Sequence, residues 1–225
     1  MIYDPFKNFY YYLNLIPFLG FIHLISKKIF CFNDLATWYL IHAIVNFYVI
    51  YISVNPILDI FTNPLLELFN PQKYYDTTIV VDILHLYHML FFSCNKADIF
   101  HHLFFVIIGS LVVFTFNNGK FVALSHFFLC GLPGGIDYVY LFFYQCNYVT
   151  KITRLNMATF LNVWIRGPGL CMLSTFAILK FIYTKKTLYD FIELILQITM
   201  TYGNGQYYLR DVVFTNGVYQ SKNIK

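Results

Sequence analysis

The sequence predicts an all-α protein: a polytopic membrane bundle of about seven transmembrane helices, formed by residues 1–225 as a single domain. Charged residues make up only 12% of the chain, against about 25% in a soluble domain, which is too few to coat a globule of this size. Apolar runs near the roughly 20 residues that cross a bilayer recur from end to end, and the mean hydropathy is +0.60. They are continuous blocks, unlike the short alternating segments of a membrane β-barrel.

Each span has its own limits. Residues 9–25 form the first, with a bend expected at Pro17 and an end at Lys27-Lys28. Asn33-Asp34 caps the second, residues 35–54, which Asn55-Pro56 should stop. Residues 57–76, mixed in character and broken by Pro64 and Pro71, read as interfacial. The third span covers 77–94 and the fourth 98–116, joined by a short Asn95-Lys96-Ala97 turn. Asn117-Asn118-Gly119-Lys120 is the next turn. The fifth span, 121–145, is interrupted by GLPGG at 131–135, and the sixth, 155–183, by Arg166-Gly167-Pro168-Gly169. The seventh begins at 188 and runs to 202 or beyond, carrying Asp190, Glu193 and Gln197.

Several classes are disfavoured. Five scattered cysteines without a CxxC pair argue against a disulfide framework or a cysteine-based zinc site. The net charge of +4 comes from loop lysines, so no nucleic-acid partner is expected. The opening MIYDPFK shows no cleavable signal, and the first span is expected to stay as an anchor. With seven spans, lysines and arginines, counted with Lys7, Lys185 and Lys225, favour a lumenal or exoplasmic N-terminus and a cytoplasmic C-terminus.

Function is sought where polar groups enter apolar spans. A charged side chain at the centre of a span costs about 2.5–3.5 kcal/mol, so several of them imply a shared polar interior. Asp82, His85 and His88 occupy one helical arc about 120° wide. Asp98, His101 and His102 follow i, i+3, i+4 spacing on the next span. A short hairpin should turn the two arcs toward each other. The plainer reading makes Asp98 a helix cap and leaves the imidazoles in the headgroup zone. Asp137 follows GLPGG, where irregular backbone requires a cavity or a protein partner, unless the small residues serve close helix packing. Arg166 has three readings: an ion pair with Asp137, a grip on a phosphate or carboxylate, or snorkelling to the interface.

ADIFHHLFFVIIGSLVVF at 97–114, with an aspartate before a histidine pair at a helix start, resembles the TLC-domain family that includes the ceramide synthases. Asp137-Tyr138 one helix later supports the resemblance, which covers nearly the whole chain. It implies acyl transfer from acyl-CoA, as co-substrate, to a lipid amine in an endomembrane such as the endoplasmic reticulum. His101 and His102 would be base and acyl acceptor, Asp137 the orienting carboxylate and Asp98 an adjunct; Asp82, His85, His88 and Arg166 would bind substrate. Imidazole suits either role, because it exchanges protons near neutrality and is nucleophilic. The resemblance implies membrane lipids as partners and no resident cofactor or metal. Where ceramide synthases carry a histidine and an aspartate, this chain has Pro133 and Gly134. Two other functions fit the same residues. One is a non-enzymatic protein that binds, senses or moves lipid. The other is an intramembrane metal enzyme drawing on His85, His88, His101, His102, His126 and Asp82.

Overall fold

The computed structural model describes residues 10–184 and 186–223; Lys7, Phe9, Lys185 and Lys225 of the sequence reading lie outside them. The helices are α1 (Leu15–Lys28), α2 (Asp34–Thr62), α3 (Pro64–Phe69), α4 (Asp76–Phe91), α5 (Lys96–Thr115), α6 (Phe121–Gln145), α7 (Lys151–Tyr183) and α8 (188–223). No strand occurs among the described residues.

Four helices, α2, α5, α6 and α7, are long and apolar enough to cross a membrane. The other three expected spans are shorter among the described residues. The 16 residues of α4 rise about 24 Å and the 14 of α1, preceded by a helical stretch at 10–13, about 21 Å, against a hydrocarbon core of about 30 Å. The seventh, 188–202, lies in the first half of α8, where the regular α-helix covers Leu188–Ile198 before a wide turn, and the second half, NGQYYLRDVVFTNGVYQSKN, is polar.

The local signals at the helix starts work as chemistry predicts. Asn33 Oδ1 accepts from the Ala36 amide at 2.8 Å, and Thr150 Oγ1 accepts from the Thr153 amide at 3.3 Å. The helical path is interrupted at Asn14, between a helical stretch at 10–13 and α1, three residues before Pro17, where the sequence predicts a bend. Two proline expectations need correction. Pro56 does not stop α2, which continues to Thr62. Pro56 cannot donate to the Ile52 carbonyl four residues back, and the Tyr74 hydroxyl fills that place at 3.1 Å. Pro133 does not interrupt α6 either. The carbonyl it leaves free, that of Leu129, accepts from Arg166 Nε at 3.0 Å.

The four longest runs through the second half of the bundle each contain one wide π-helical turn: 102–107 in α5, 127–131 in α6, 162–166 in α7 and 199–203 in α8. In α6 and α7 the wide turn ends immediately before the proline-containing segment, so the extra residue is accommodated without breaking the helix.

α2 is the central post, packed against α1, α4 and α6. Ile41, Val45 and Val49 are buried with Ile79, Val80 and Leu84 of α4. GLPGG serves this packing instead of opening a cavity. Gly134 and Gly135 lie against Asn46 and Phe47, with 2.9 Å left between Asn46 Nδ2 and a Cβ on Gly134. A second core of Ile60, Leu124, Leu170 and Leu173 ties α2 and α6 to α7. A Cβ on Gly169 would meet the Phe128 ring at 2.2 Å, whereas one on Gly20 would meet nothing within 4 Å.

Gly169→Ala is therefore expected to destabilise the bundle by about 1–3 kcal/mol through overpacking. Gly20→Ala should be neutral or slightly stabilising, since alanine is the better helix former. Thermal unfolding of both variants in detergent checks the contrast.

Candidate functional site: a buried imidazole cluster

α4 and α5 are joined by residues 92–95 alone, and this tight hairpin sets their polar faces together. Asn95 begins α5 with a capping box: its Oδ1 accepts from the Asp98 amide at 3.1 Å while Asp98 Oδ2 accepts from the Asn95 amide at 2.9 Å. The Asp98 carboxylate is therefore engaged as a cap and bonds neither imidazole. Adjacent residues on an α-helix diverge by about 100°. The widening of α5 begins at His102, and both rings of the pair reach partners on α4.

Five of the seven histidines converge here. His101 Nε2 lies 3.2 Å from His85 Nε2, and His88 Nδ1 lies 3.1 Å from His102 Nε2. The His42 ring, on α2, meets His85 edge-on with centroids 5.6 Å apart. Aromatic rings wall the group: Trp38 stacks on His88 at 3.9 Å and Tyr138 on His42 at 3.7 Å. His42, His85, His88 and His102 are each no more than 5% exposed.

The hydrogen bonds fix the proton positions on one half of the cluster. No carboxylate is bonded to any of these rings, and an imidazolium would be desolvated beside its neighbours, so the rings are neutral. The Val81 carbonyl can only accept, so His85 Nδ1, 2.7 Å away, carries the hydrogen and its Nε2 holds a lone pair. His101 Nε2–H then donates to that lone pair, which leaves His101 Nδ1 bare to accept from the Tyr208 hydroxyl at 2.9 Å. The result is a directed chain: Tyr208 O–H to His101, His101 to His85, His85 to the α4 backbone.

The other expected site residues are dispersed around this chain. Asp82 accepts from Ser110 Oγ at 2.6 Å and bonds no histidine. Asp137 is partly buried, with Oδ1 itself buried and unpartnered; it is next in sequence to the Tyr138 that stacks on His42, and it hydrogen-bonds no imidazole. Arg166 neither snorkels nor forms an ion pair with Asp137. It donates to the Leu129 carbonyl and, at 2.5 Å, to Asn162 Oδ1. It braces the α6–α7 contact. His126 stands apart, 3.0 Å from Thr77 Oγ1.

Three contributors escaped sequence reasoning. His42 carried a usable signal, an ionisable residue in the middle of an apolar span. Trp38 and Tyr208 carried none, because only tertiary packing brings them to the cluster.

A cavity of about 120 Å³ runs beside the relay. It follows α5 from Phe105 past Gly109 and Val113 to Asn117, about 18 Å along the helix. Its walls are mainly apolar. Val81, whose carbonyl holds His85, lines the near end together with Phe105, whose ring centroid is 6.1 Å from His101 and 6.0 Å from Tyr208. Asn204, one helical turn before Tyr208, also lines it, with Oδ1 buried and unpartnered. The far end is polar: Lys180 binds Glu193 at 2.5 Å, and Gln197 donates to Glu193 and Asn118.

No family model, curated protein or solved structure matches the chain.

The proton positions can be read by ¹⁵N NMR of the histidine rings in detergent micelles. The expected pattern is protonated Nδ1 on His85 and protonated Nε2 on His101. Tyr208→Phe should shift the His101 Nδ1 resonance and leave that of His126 unchanged.

Proposed function

We propose that this chain is a multi-pass membrane protein of lipid metabolism that transfers an acyl group from acyl-CoA to a lipid amine in an endomembrane such as the endoplasmic reticulum. The observation that supports it most is the directed chain Tyr208–His101–His85 at one end of a narrow apolar cavity. An acyl chain fits the apolar walls, with its thioester carbonyl at the His101 end. An amine that displaces the Tyr208 hydroxyl from His101 Nδ1 gives up its proton there as it attacks that carbonyl. His101 passes its Nε2 proton to His85 Nε2, and the resulting imidazolium is stabilised by its Nδ1–H bond to the Val81 carbonyl. The thiolate of coenzyme A leaves and takes up a proton, closing the balance. The arrangement follows the logic of a nucleophile, a base and an orienting acceptor, with a backbone carbonyl in the third place. The resemblance of 97–114 to TLC-domain proteins supports the same substrate class.

A second reading, a lipid-binding or lipid-transfer protein without catalysis, is favoured by one feature. The cavity is lined by Val81 and Phe105 at its near end, and no imidazole of the cluster faces it directly.

On the enzymatic reading, His101→Ala should lower acyl transfer by about 10²–10⁴-fold while the protein stays folded and inserted. Tyr208→Phe should act in the same direction with a smaller effect. Lipidomics of cells expressing wild type or His101→Ala checks this, and an unchanged lipid profile would end the proposal. Lipid that co-purifies with the wild type, without turnover of any acyl-CoA, would establish the second reading.

A further inference from the structure

The cluster divides into two halves, and the second is built differently from the relay. His88 and His102 meet ring to ring, and beside them Cys94 rises from the hairpin between α4 and α5. One ligand atom from each of the three lies within 4.8 Å of the others. We propose that His88, Cys94 and His102 form a zinc site with an open fourth position.

The chemistry of the donors fits. Two imidazoles and a thiolate are ligands that Zn²⁺ accepts in tetrahedral geometry, with metal–nitrogen bonds of about 2.0–2.1 Å. Two such nitrogens on one tetrahedral ion lie about 3.3 Å apart. His88 Nδ1 and His102 Nε2 are already 3.1 Å apart, close to that spacing, so the rings need to turn their lone pairs toward a common point beside the N···N line but not to separate. The ion replaces the proton they share. Binding shifts the donor ring's hydrogen to its other nitrogen and releases one proton, that of the Cys94 thiol, to water.

The surroundings point the same way. His102 is 4% exposed, and its Nδ1 has no partner in the protein. Its only hydrogen bond is to another neutral imidazole, an unusual use of a buried polar ring. Trp38 stacks on His88 and fixes that ring's plane. Cys94 is not in a disulfide and is only half-buried, and its one hydrogen bond is a weak one to the Phe92 carbonyl at 3.9 Å, which a metal bond would readily replace. The relay histidines His85 and His101 are occupied by their own hydrogen bonds and are not ligands. Asp82, engaged by Ser110, and His126, engaged by Thr77, also lie outside the set. The site does not depend on the acyl-transfer reading.

The test uses the full chain purified in detergent, stripped with chelator and titrated with ZnCl₂. Wild type should bind one zinc per chain, and His101→Gln should bind it equally. Cys94→Ser and His88→Gln should bind at least tenfold more weakly. Replacing zinc with Co²⁺ gives a direct signature, a thiolate-to-cobalt absorption band present in wild type and absent in Cys94→Ser. If Cys94→Ser fails to fold, the cobalt band of the wild type decides alone. Absence of stoichiometric zinc, or zinc binding unchanged in Cys94→Ser, would overturn the site. Neither result bears on acyl transfer, which is read by His101→Ala.

Discussion

Within a bilayer a freed carbonyl or an imidazole nitrogen has only the protein to bond. Much of this structure answers that constraint. Pro56 and Pro133 each remove a helical hydrogen bond, and each freed carbonyl is taken by a side chain distant in sequence: Ile52 by Tyr74, Leu129 by Arg166. The same two bonds hold the bundle together, one tying the segment before α4 to α2 and the other tying α7 to α6. The prolines that would break isolated helices become the points at which helices are joined. Arg166 itself, a half-buried cation, is stabilised by the oxygens of Leu129 and Asn162.

At the polar end of the bundle, ion pairs do the corresponding work. Lys120, just before α6, contacts Glu67 at 2.7 Å and Asp59 at 2.9 Å. Burial opposes the Lys120 charge, but its hydrogen bonds to Glu67 and Asp59 outweigh this and hold its ammonium above the ordinary lysine value. Glu67 is nearly buried, so the pair matters more than an exposed one would. It fixes the short α3 against the start of α6, next to the polar mouth of the cavity.

Much of the fold was legible because its signals are local. The cap at Asn33, the capping role of Asp98 and the hairpin between α4 and α5 follow from residue type and short-range chemistry. The face-to-face meeting of His85 and His88 with His101 and His102 follows from period and hairpin length together. The proline breaks were misread because the compensating groups, Tyr74 and Arg166, lie 22 and 37 residues from the carbonyls they satisfy. Four of the seven spans are carried by long apolar helices, and hydropathy alone does not reveal that α1 and α4 are shorter than these. Asp137 was expected to orient an imidazole, and the structure shows its Oδ1 without a hydrogen-bond partner. Tyr208 could not be found, because nothing in α8 marks which of its tyrosines turns inward.

The two halves of the imidazole cluster differ in how completely they are satisfied. Along Tyr208, His101 and His85 every ring nitrogen has a partner, and the last hydrogen rests on a backbone carbonyl that cannot be displaced without unwinding α4. Such a chain is ordered and can move protons in one direction. The His88–His102 half has one hydrogen bond for four nitrogens' worth of capacity at its core, with an orphan at His102 Nδ1 and a loose thiol nearby. Each buried orphan costs about 1–3 kcal/mol, so this half is the less completely satisfied of the two. His102 and His85 have ring centroids only 5.3 Å apart, so an ion on the second half would lie beside the relay. Its charge would oppose a second proton on His85, so the ion would not assist the relay; the two halves adjoin without sharing a hydrogen bond.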